Sequence, residues 1–470
     1  MRTRVWWCGF AAVGFACVSS GADYTWQGGG GLFSDGAKWS PEGVPAAGDT
    51  AKFSTAADGT VTWTGDVANN QMHVVQTEGN TLTLDLGGNT YTLTNRFYFD
   101  GSKASSYVVL TNGFLVAPTN TCEMKINAGV APARLTFAAG ATASVDRLTY
   151  WRSEVDVLAG ASLTVNNQCM VNDGQANSVS ALNVLGGDVV CNHHLWVPNN
   201  GQVNSTSILN ITSGSLIAKN YFSIGDKNGA TSVGILNLSG GYLETWGQVW
   251  LGNSGRATAI ANISGGRWNS KHQFEVAHRD FCSAWLNMTG GEIELTSASR
   301  PFAIAHAGGT PTSVTGTVNI TGGSITVTNT GGNFLIGNAS NSLGRCFIGG
   351  DAFIHTRGFK LGSTTLSSGE CVMTGGLVRT LETVAVGDAS TGTGWMRMEG
   401  GVLTNLTSAY IGNNGGSTGV LELAGGTWWT SNTLAVGQNA GATGSVFMTG
   451  GSLRSEERRV GKECRSRWSP

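Results

Sequence analysis

A six-residue pattern of apolar, polar, apolar, polar, Gly and Gly returns along the chain at intervals of about 25 residues. The clear copies end at Gly241, Gly266, Gly291, Gly323, Gly376, Gly401, Gly426 and Gly451, and weaker copies end at Gly88, Gly113, Gly140, Gly160, Gly187, Gly214 and Gly350. Alternation of apolar and polar residues is the period of a β-strand. A fixed repeat of this length is typical of stacked coils, and it predicts a solenoid.

Two further patterns complete each coil. A second predicted strand ends in apolar-Gly-polar, as in segments 223–226, 250–253 and 335–338. Its upstream apolar position is Phe in four successive coils, which predicts an aromatic stack in the core at Phe274, Phe302, Phe334 and Phe359. A third stretch, after the glycine pair, varies most. The sequence therefore predicts an all-β, single-stranded parallel β-helix of about 14–15 coils over residues 56–453.

The polar position between the two apolar positions of the motif predicts a ladder of amides. It holds Asn in six coils, at Asn183, Asn210, Asn237, Asn262, Asn287 and Asn319. Stacked amide side chains can hydrogen-bond from one strand to the next. We interpret this column as structural, and the N-x-[ST] sequons that begin at its later members as a by-product of the repeat.

Residues 23–55 differ from the repeats and predict an N-terminal cap. A terminal coil has an unpaired edge and an open apolar end, both of which need covering. Trp26, Trp39 and Phe53 are large enough to close that end. A small glycan-binding module is the alternative interpretation of this segment.

The two ends of the chain carry other signals. Residues 1–22 have Arg2 and Arg4, then an apolar stretch and a small-residue cleavage site, which predicts a secretory signal peptide; a membrane anchor is the alternative. Residues 454–470 are rich in basic side chains and lose the alternation. They resemble the translation of a common sequencing adapter, so we interpret them as an artefactual tail on a truncated array. A solvated tail and a basic binding arm are the alternatives.

Residues 26–53 carry W-x-G-G-x-G, then W and P, then G-D-x-A-x-F, and the repeats follow. This order of motifs along the chain resembles bacterial exported β-helical repeat proteins of the autotransporter-passenger type. These include the autotransporter-associated β-strand repeats. The resemblance implies export to the outer cell surface or the extracellular space. It also implies a structural or adhesive role, with an extracellular polysaccharide or a cell-surface glycan as the candidate partner.

Composition narrows the range of functions. Only 12 % of the residues are charged and the formal net charge is −2, which gives no support for a nucleic-acid partner or for an anionic membrane surface. Membrane insertion of the portion from residue 23 onward is not expected. No two of the nine cysteines form a C-x-x-C pair, so buried thiols are expected rather than a zinc or redox motif. No cofactor is expected.

Outward aromatic side chains are the candidate ligand-binding residues. Trp196, Trp250 and Tyr410 fall in one outward column, and Trp429 follows the inward-pointing Trp428. Trp196 and Trp250 are two coils apart, about 10 Å, which is close to the spacing of alternate sugar rings. Aromatic faces suit stacking on sugars, so these four residues predict a glycan-binding surface.

Catalytic chemistry has weaker support in the sequence. A polysaccharide lyase or glycoside hydrolase on the same scaffold is the alternative function, but the chain has no Asp-Asp pair and no Asp-rich, His-Gly or Arg-x-Lys signature of such enzymes. His278 and His306 occupy the same turn position of adjacent coils, where other coils carry Asn or Asp. Ordinary turn residues are the favoured interpretation, and a metal-binding or catalytic role is the alternative.

Overall fold

A computed structural model of the chain describes residues 21–456, except residues 78, 101–105, 118–122, 128–132, 173–175, 199–202, 227–231, 254, 280, 298 and 307–313. The predicted signal peptide therefore lies almost entirely outside the described residues. So do Cys122 and all of the predicted tail beyond residue 456. The chain is a parallel β-solenoid of about 16 turns of ~25 residues, and 63 % of it is strand. The predicted fold class is confirmed.

Each coil has three faces, and each strand pairs in parallel with its counterpart in the next coil. Face A carries the repeated motif, face B follows the glycine pair, and face C carries the apolar-Gly-polar ending. Strands of face A alone are Gly31–Leu32, Gly59–Thr62, Thr81–Asp85, Ser106–Thr111, Ala133–Phe137, Ser153–Leu158, Val233–Leu238, Thr258–Ile263, Ser342–Ile348, Ser368–Met373 and Thr443–Met448. Strands of face B alone are Gly113–Ala117, Tyr242–Thr245, Arg267–Ser270, Phe353–Thr356, Leu377–Thr380 and Ser452–Ser455. Strands of face C alone are Asp23–Trp26, Thr50–Ser54, Glu123–Asn127, His194–Val197, Phe222–Ile224, Val249–Leu251, Phe274–Val276, Phe302–Ile304, Asn333–Ile336, Gly358–Leu361, Val384–Val386, Ala409–Ile411 and Leu434–Val436.

Some strands run through a corner onto a second face. In the N-terminal coils they join faces B and C: Val67–Gln76, Thr90–Asp100, Ala141–Trp151 and Ser162–Val171. Further along they join faces A and B: Val179–Cys191, Thr206–Ala218, Ser283–Leu295, Val314–Val327, Thr393–Asn405 and Thr418–Thr430. The remaining elements are the short strand Trp39–Ser40 and the 3-10 turn Gly36–Lys38. The described residues contain no α-helix.

The core fills the interior of the coils, as the two apolar columns predict. Leu236, Leu238 and Leu286 are fully buried. The predicted aromatic stack is also present: the rings of Phe274, Phe302, Phe334 and Phe359 follow one another at centroid distances of 4.8, 4.7 and 5.4 Å. Since each fully buried ring contributes roughly 1.5–3 kcal/mol, this stack is a main source of coil-to-coil stability.

The glycine pair is a corner that only glycine fits. Gly401 has φ +77°, and a Cβ on it would lie 2.5 Å from the carbonyl oxygen of Gly375 in the preceding coil. A side chain there would meet both an unfavourable backbone conformation and a backbone atom. The motif therefore fixes the turn between faces A and B.

The predicted asparagine ladder is present on the outside of face A. Each Nδ2 donates to the Oδ1 of the Asn one coil earlier, at 2.7, 2.8, 2.9, 3.0 and 2.8 Å from Asn210 to Asn319. The first member, Asn183, donates to the carboxylate of Asp156 at 2.7 Å. A carboxylate can only accept, so Asp156 fixes the direction of all the amides that follow.

The N-terminal segment is itself the first coil. Strand Asp23–Trp26 pairs in parallel with Thr50–Ser54 and antiparallel with Trp39–Ser40. Trp26 and Trp39 are buried edge to face, with centroids 5.1 Å apart. This coil adds to the 14–15 counted from the motif. At the other end, strand Ser452–Ser455 extends two residues past the predicted boundary at residue 453.

The cysteines that the structure describes are buried, as predicted: Cys169, Cys191, Cys282, Cys346 and Cys371. Cys346 and Cys371 are direct partners in adjacent coils. Burial and the neighbouring Cys371 thiol raise the pKa of Cys346 well above its usual value. These thiols therefore act as small apolar residues of the core.

Candidate functional site

The three predicted aromatics of face C do share one outward column. Trp196 pairs with Ser223, which pairs with Trp250. Tyr410 lies further along, beyond Glu275, Ala303, Leu335, Lys360 and Ala385. The structure therefore brings Trp196 and Trp250 into one region and places Tyr410 in another, beside Ser408 and Thr433 in a shallow depression.

Trp196 and Trp250 are linked by other rings, which we call the ring ladder. It comprises Trp196, His194, Tyr221, Trp250, His278 and His306, with successive centroid distances of 4.7, 4.9, 4.8, 5.0 and 5.9 Å. Both faces of the Trp250 indole are covered, one by Tyr221 and one by His278, at interplanar angles of 14° and 16°. A sugar can therefore reach Trp250 only at its edge. Tyr221 is stacked in the same way between His194 and Trp250, so its 37 % exposed surface is the ring edge and the hydroxyl.

The fourth predicted residue, Trp429, lies on the outside of face B. It pairs with Thr404 and Arg454 and is half-buried. Its neighbour Trp428 is fully buried, as predicted, and donates through Nε1 to Asn405 at 3.1 Å. Trp429 is on a different face from Trp196 and Trp250.

A second aromatic site, which the sequence did not reveal, lies at the corner between faces B and C. Trp246 is 43 % exposed, and its ring has the ammonium of Lys271 at 4.4 Å and that of Lys219 at 5.5 Å. Strand register places Lys219 one coil before Trp246, and Tyr221 lies at the same corner as Lys219. We call Lys219, Tyr221, Trp246 and Lys271 the Trp246 patch.

Glu244 holds this patch in place. Its carboxylate accepts from Trp246 Nε1, from the Tyr242 hydroxyl at 2.5 Å and from Lys271 Nζ at 2.7 Å. Partial burial alone would raise the pKa of Glu244, but these three donors outweigh it and lower the pKa. The carboxylate is therefore ionised at neutral pH and fixes the orientation of Trp246.

Three ionisable side chains converge where face C meets the next loop. Glu275 Oε1 is 3.2 Å from His306 Nε2, and Glu275 Oε2 contacts His278 Nδ1. We call these three residues the Glu275 cluster. Glu275 is 1 % exposed and His278 is 5 % exposed. His278 is thus a buried group rather than a solvated turn residue.

The backbone places the two imidazoles one above the other. His278 N donates to Gly252 O at 2.8 Å, and His306 N donates to Ala277 O at 2.9 Å. Ala277 and Ala305, which precede the two histidines, have φ +64° and +56°. The corresponding residue is Gly in the other coils from Gly225 to Gly437 that share this turn: Gly225, Gly252, Gly337, Gly362, Gly387, Gly412 and Gly437. Alanine in this conformation costs of order 1–2 kcal/mol.

Burial lowers the pKa of two histidines in the ring ladder. Desolvation and the adjacent His193 lower the pKa of His194 to about 4. Desolvation lowers that of His306, although the nearby Glu275 opposes the shift. Both imidazoles are therefore neutral at pH 7, with a lone pair on one nitrogen.

The sequence pointed to the two histidines but missed their partner. Glu275 lies at an outward position of face C, where the pattern predicts a solvated side chain. The side chains of His278 and His306, which follow this strand and the equivalent strand of the next coil, lie against Glu275 and bury it. The available signal was an acidic residue three positions before the histidine of an Ala-His pair.

Two findings complete the description of the chain. Among the described residues, no helix has the length and apolar character needed to cross a membrane.

No protein-family model, no curated protein and no solved structure matches the chain.

Proposed function

We propose that the protein is an exported or cell-surface β-solenoid with an adhesive role, and that its outer surface binds an extracellular polysaccharide or cell-surface glycan without catalysing a reaction. The observation that carries this proposal is the Trp246 patch. It combines an exposed indole, the exposed edge of a phenol ring and two ammonium groups within three successive coils.

The chemistry of the patch suits an acidic sugar chain. Aromatic rings pack against the C–H faces of sugars and exclude water there. Lys219 and Lys271 offer positive charge to carboxylate or sulfate groups, while Glu244 neutralises part of it. Acidic polysaccharides are therefore expected to bind more tightly than neutral ones, and added salt is expected to weaken the binding.

The four aromatics predicted from sequence have different places in this proposal. Trp196 and Trp250 belong to the ring ladder and hold Tyr221 of the Trp246 patch in place, because Tyr221 stacks directly on Trp250. Tyr410 and Trp429 are half-buried residues of other regions. They are proposed as separate, weaker contacts along a long ligand.

Binding of the purified chain to a panel of uronic-acid-containing and neutral polysaccharides tests the proposal. Changing Tyr221→Ala and Trp246→Ala together is expected to weaken binding about tenfold or more, since a single stacked aromatic pair contributes about 0.5–1.5 kcal/mol. Trp395→Ala is the matched control, because Trp395 is an outward tryptophan of face A that bonds Glu422. Equal losses in both variants, or no binding by the wild type, would contradict the proposal.

The alternative of a polysaccharide lyase or hydrolase is favoured by one observation, a carboxylate between two imidazoles in the Glu275 cluster. Such groups can act as acid and base. However, Glu275 is 1 % exposed, so the geometry supports binding better than catalysis. We expect no release of sugar products from the same panel. Products that disappear in Glu275→Gln would replace the adhesive role with the enzymatic one.

A further inference from the structure

The Glu275 cluster has the composition of a metal site. One carboxylate oxygen and one nitrogen from each of two imidazoles lie within 4.8 Å of one another. Two histidines and a glutamate are a ligand set that zinc uses in proteins, usually with a fourth position left open. We infer that Glu275, His278 and His306 bind a divalent transition-metal ion, with Zn²⁺ as the best match.

The distances require only small side-chain movements. Bonds of about 2.0–2.2 Å in a tetrahedral site place the ligand atoms about 3.4 Å apart. The present separations of up to 4.8 Å must therefore shorten, and rotation about the side-chain bonds is the movement that would do this. Hydrogen bonds to the preceding coil fix the backbone at His278 and His306, so the adjustment falls on the side chains.

The cluster also places a carboxylate where positive charge is needed. A carboxylate as deeply buried as Glu275 is costly unless a cation or several donors compensate for it. The described groups that contact its oxygens are Gln273, His278 and His306. A metal ion bound between the three side chains would supply positive charge next to this carboxylate.

Neighbouring side chains hold the proposed ligands in place. Gln273 Nε2 donates to Glu275 Oε1 at 2.6 Å, and Asn338 Nδ2 is 2.7 Å from His306 Nδ1. Rotation of the Asn338 amide would let its oxygen accept a hydrogen bond from Nδ1–H when Nε2 binds the metal. Trp250 covers one face of the His278 ring. Outer partners of this kind orient metal ligands and tune their affinity.

Backbone strain at the same two coils is an independent observation. Ala277 and Ala305 adopt positive φ at a turn where the neighbouring coils use Gly225, Gly252 and Gly337. Strain of this type is retained where the surroundings fix the residue, and it is concentrated at functional sites. Here it occurs only where the following residue is His rather than Asn, Asp, Ser or Gln, within the turns that the structure describes from Gly225 onward.

The site has a route to solvent. The side chain of His306 is 29 % exposed, whereas those of Glu275 and His278 are 2 % and 6 % exposed. A metal ion can therefore enter past His306, and its open fourth position would face that side. The inference does not depend on glycan binding, since the Trp246 patch involves other side chains.

Calorimetric titration of the untagged, chelator-treated full chain with Zn²⁺ tests the inference, together with the visible spectrum after addition of Co²⁺. We expect one equivalent of Zn²⁺ and a tetrahedral Co²⁺ spectrum. The double variant His278→Asn/His306→Asn should lose about 100-fold or more in affinity, because removal of an outer partner alone typically costs 10–100-fold. Asn is the residue of this column at Asn253, Asn338 and Asn413, so the variant should fold.

Two further measurements make the outcome decisive. Circular dichroism and thermal unfolding of the double variant should match those of the metal-free wild type. His355→Asn, which changes a histidine of face B outside the cluster, should keep the full affinity. Absence of Zn²⁺ binding by the wild type, or equal affinity in the folded double variant, would overturn the inference.

Discussion

The asparagine ladder and the ring ladder arise from the same stacking of coils, but they differ in what they can do. In the asparagine ladder one residue type recurs and each amide bonds its neighbour in the same way. In the ring ladder the residues change from coil to coil and two of the last three are histidines. A uniform column stabilises the rod, and a varied column creates local chemistry.

Each ladder has a buried carboxylate at one of its ends, and the two carboxylates have different partners. The asparagine ladder starts at Asp156, which is buried and accepts from Arg134, Thr136 and Asn183. Its charge is compensated by the guanidinium. The last two rings of the ring ladder, His278 and His306, contact Glu275, whose other contact is the amide of Gln273. The first carboxylate completes a structure, and the second is available for a metal ion.

The largest expected effect is at the origin of the asparagine ladder. Asp156→Ala removes the acceptor of Asn183 and leaves Arg134 without its closest partner, so the free energy of unfolding should fall by about 2 kcal/mol. Urea unfolding measures this. Asp156→Asn, which keeps an acceptor oxygen, should lose less. Equal losses would show that charge alone matters there.

The ring ladder should respond to pH, and the asparagine ladder should not. The folded pKa of His194, about 4, is below its unfolded value of 6.5, so the native state binds the proton less well. The stability from this group is complete above pH 6.5 and is lost as the pH falls from about 6.5 to 4. The effect should be smaller than that of Asp156→Ala, because water reaches much of the ring.

Thermal unfolding between pH 7 and pH 4 measures this loss. His194→Phe keeps a ring between Trp196 and Tyr221 but cannot titrate, so its unfolding temperature should fall less over that range. The same pH dependence in both proteins would assign the loss to other groups.

A break within the asparagine ladder should have a smaller effect. Asn262→Ala removes two amide hydrogen bonds at a solvent-exposed position, so the free energy of unfolding should fall by about 1 kcal/mol. Asn432→Ala, outside the ladder, is the control and should change stability little. A loss as large as that of Asp156→Ala would mean that the ladder acts as one cooperative unit.

The smallest expected effect is at the turn before His278. Ala277→Gly relieves the positive-φ strain but increases the freedom of the unfolded chain, so a net gain of about 0.5 kcal/mol is expected. Chemical denaturation of the metal-free protein measures it. Destabilisation would show that the Ala277 methyl contributes core packing that exceeds the strain.

Most of the fold could be predicted because every coil repeats the same short-range sequence pattern. Alternation identified the inward columns, the glycine pair identified a corner, and the recurring Asn identified a ladder. The Phe stack followed from the spacing alone, since equal positions of successive coils must lie about 4.8 Å apart. The coil in residues 23–55 was not counted, because it lacks the glycine-pair motif.

The candidate sites were predicted only in part. Trp196 and Trp250 were placed in the correct column, but sequence could not show that Tyr221 and His278 cover both faces of Trp250. Trp246 was missed because its neighbours, Lys219 and Lys271, come from other coils. Contacts across a corner depend on the direction in which the chain turns there. The spacing of the repeats in the sequence does not specify that direction.

By itself, the sequence determined the rod: its all-β composition, its coil length, its buried columns and its outer amide ladder. These depend on near-neighbour rules that repeat every coil, so one chain is enough to infer them. Only the tertiary structure decided which outward positions are covered. The turns after two successive face C strands bring His278 and His306 against Glu275. His278 is near Glu275 in sequence, but His306 comes from the next coil, and together they turn an outward position into a site with its own chemistry.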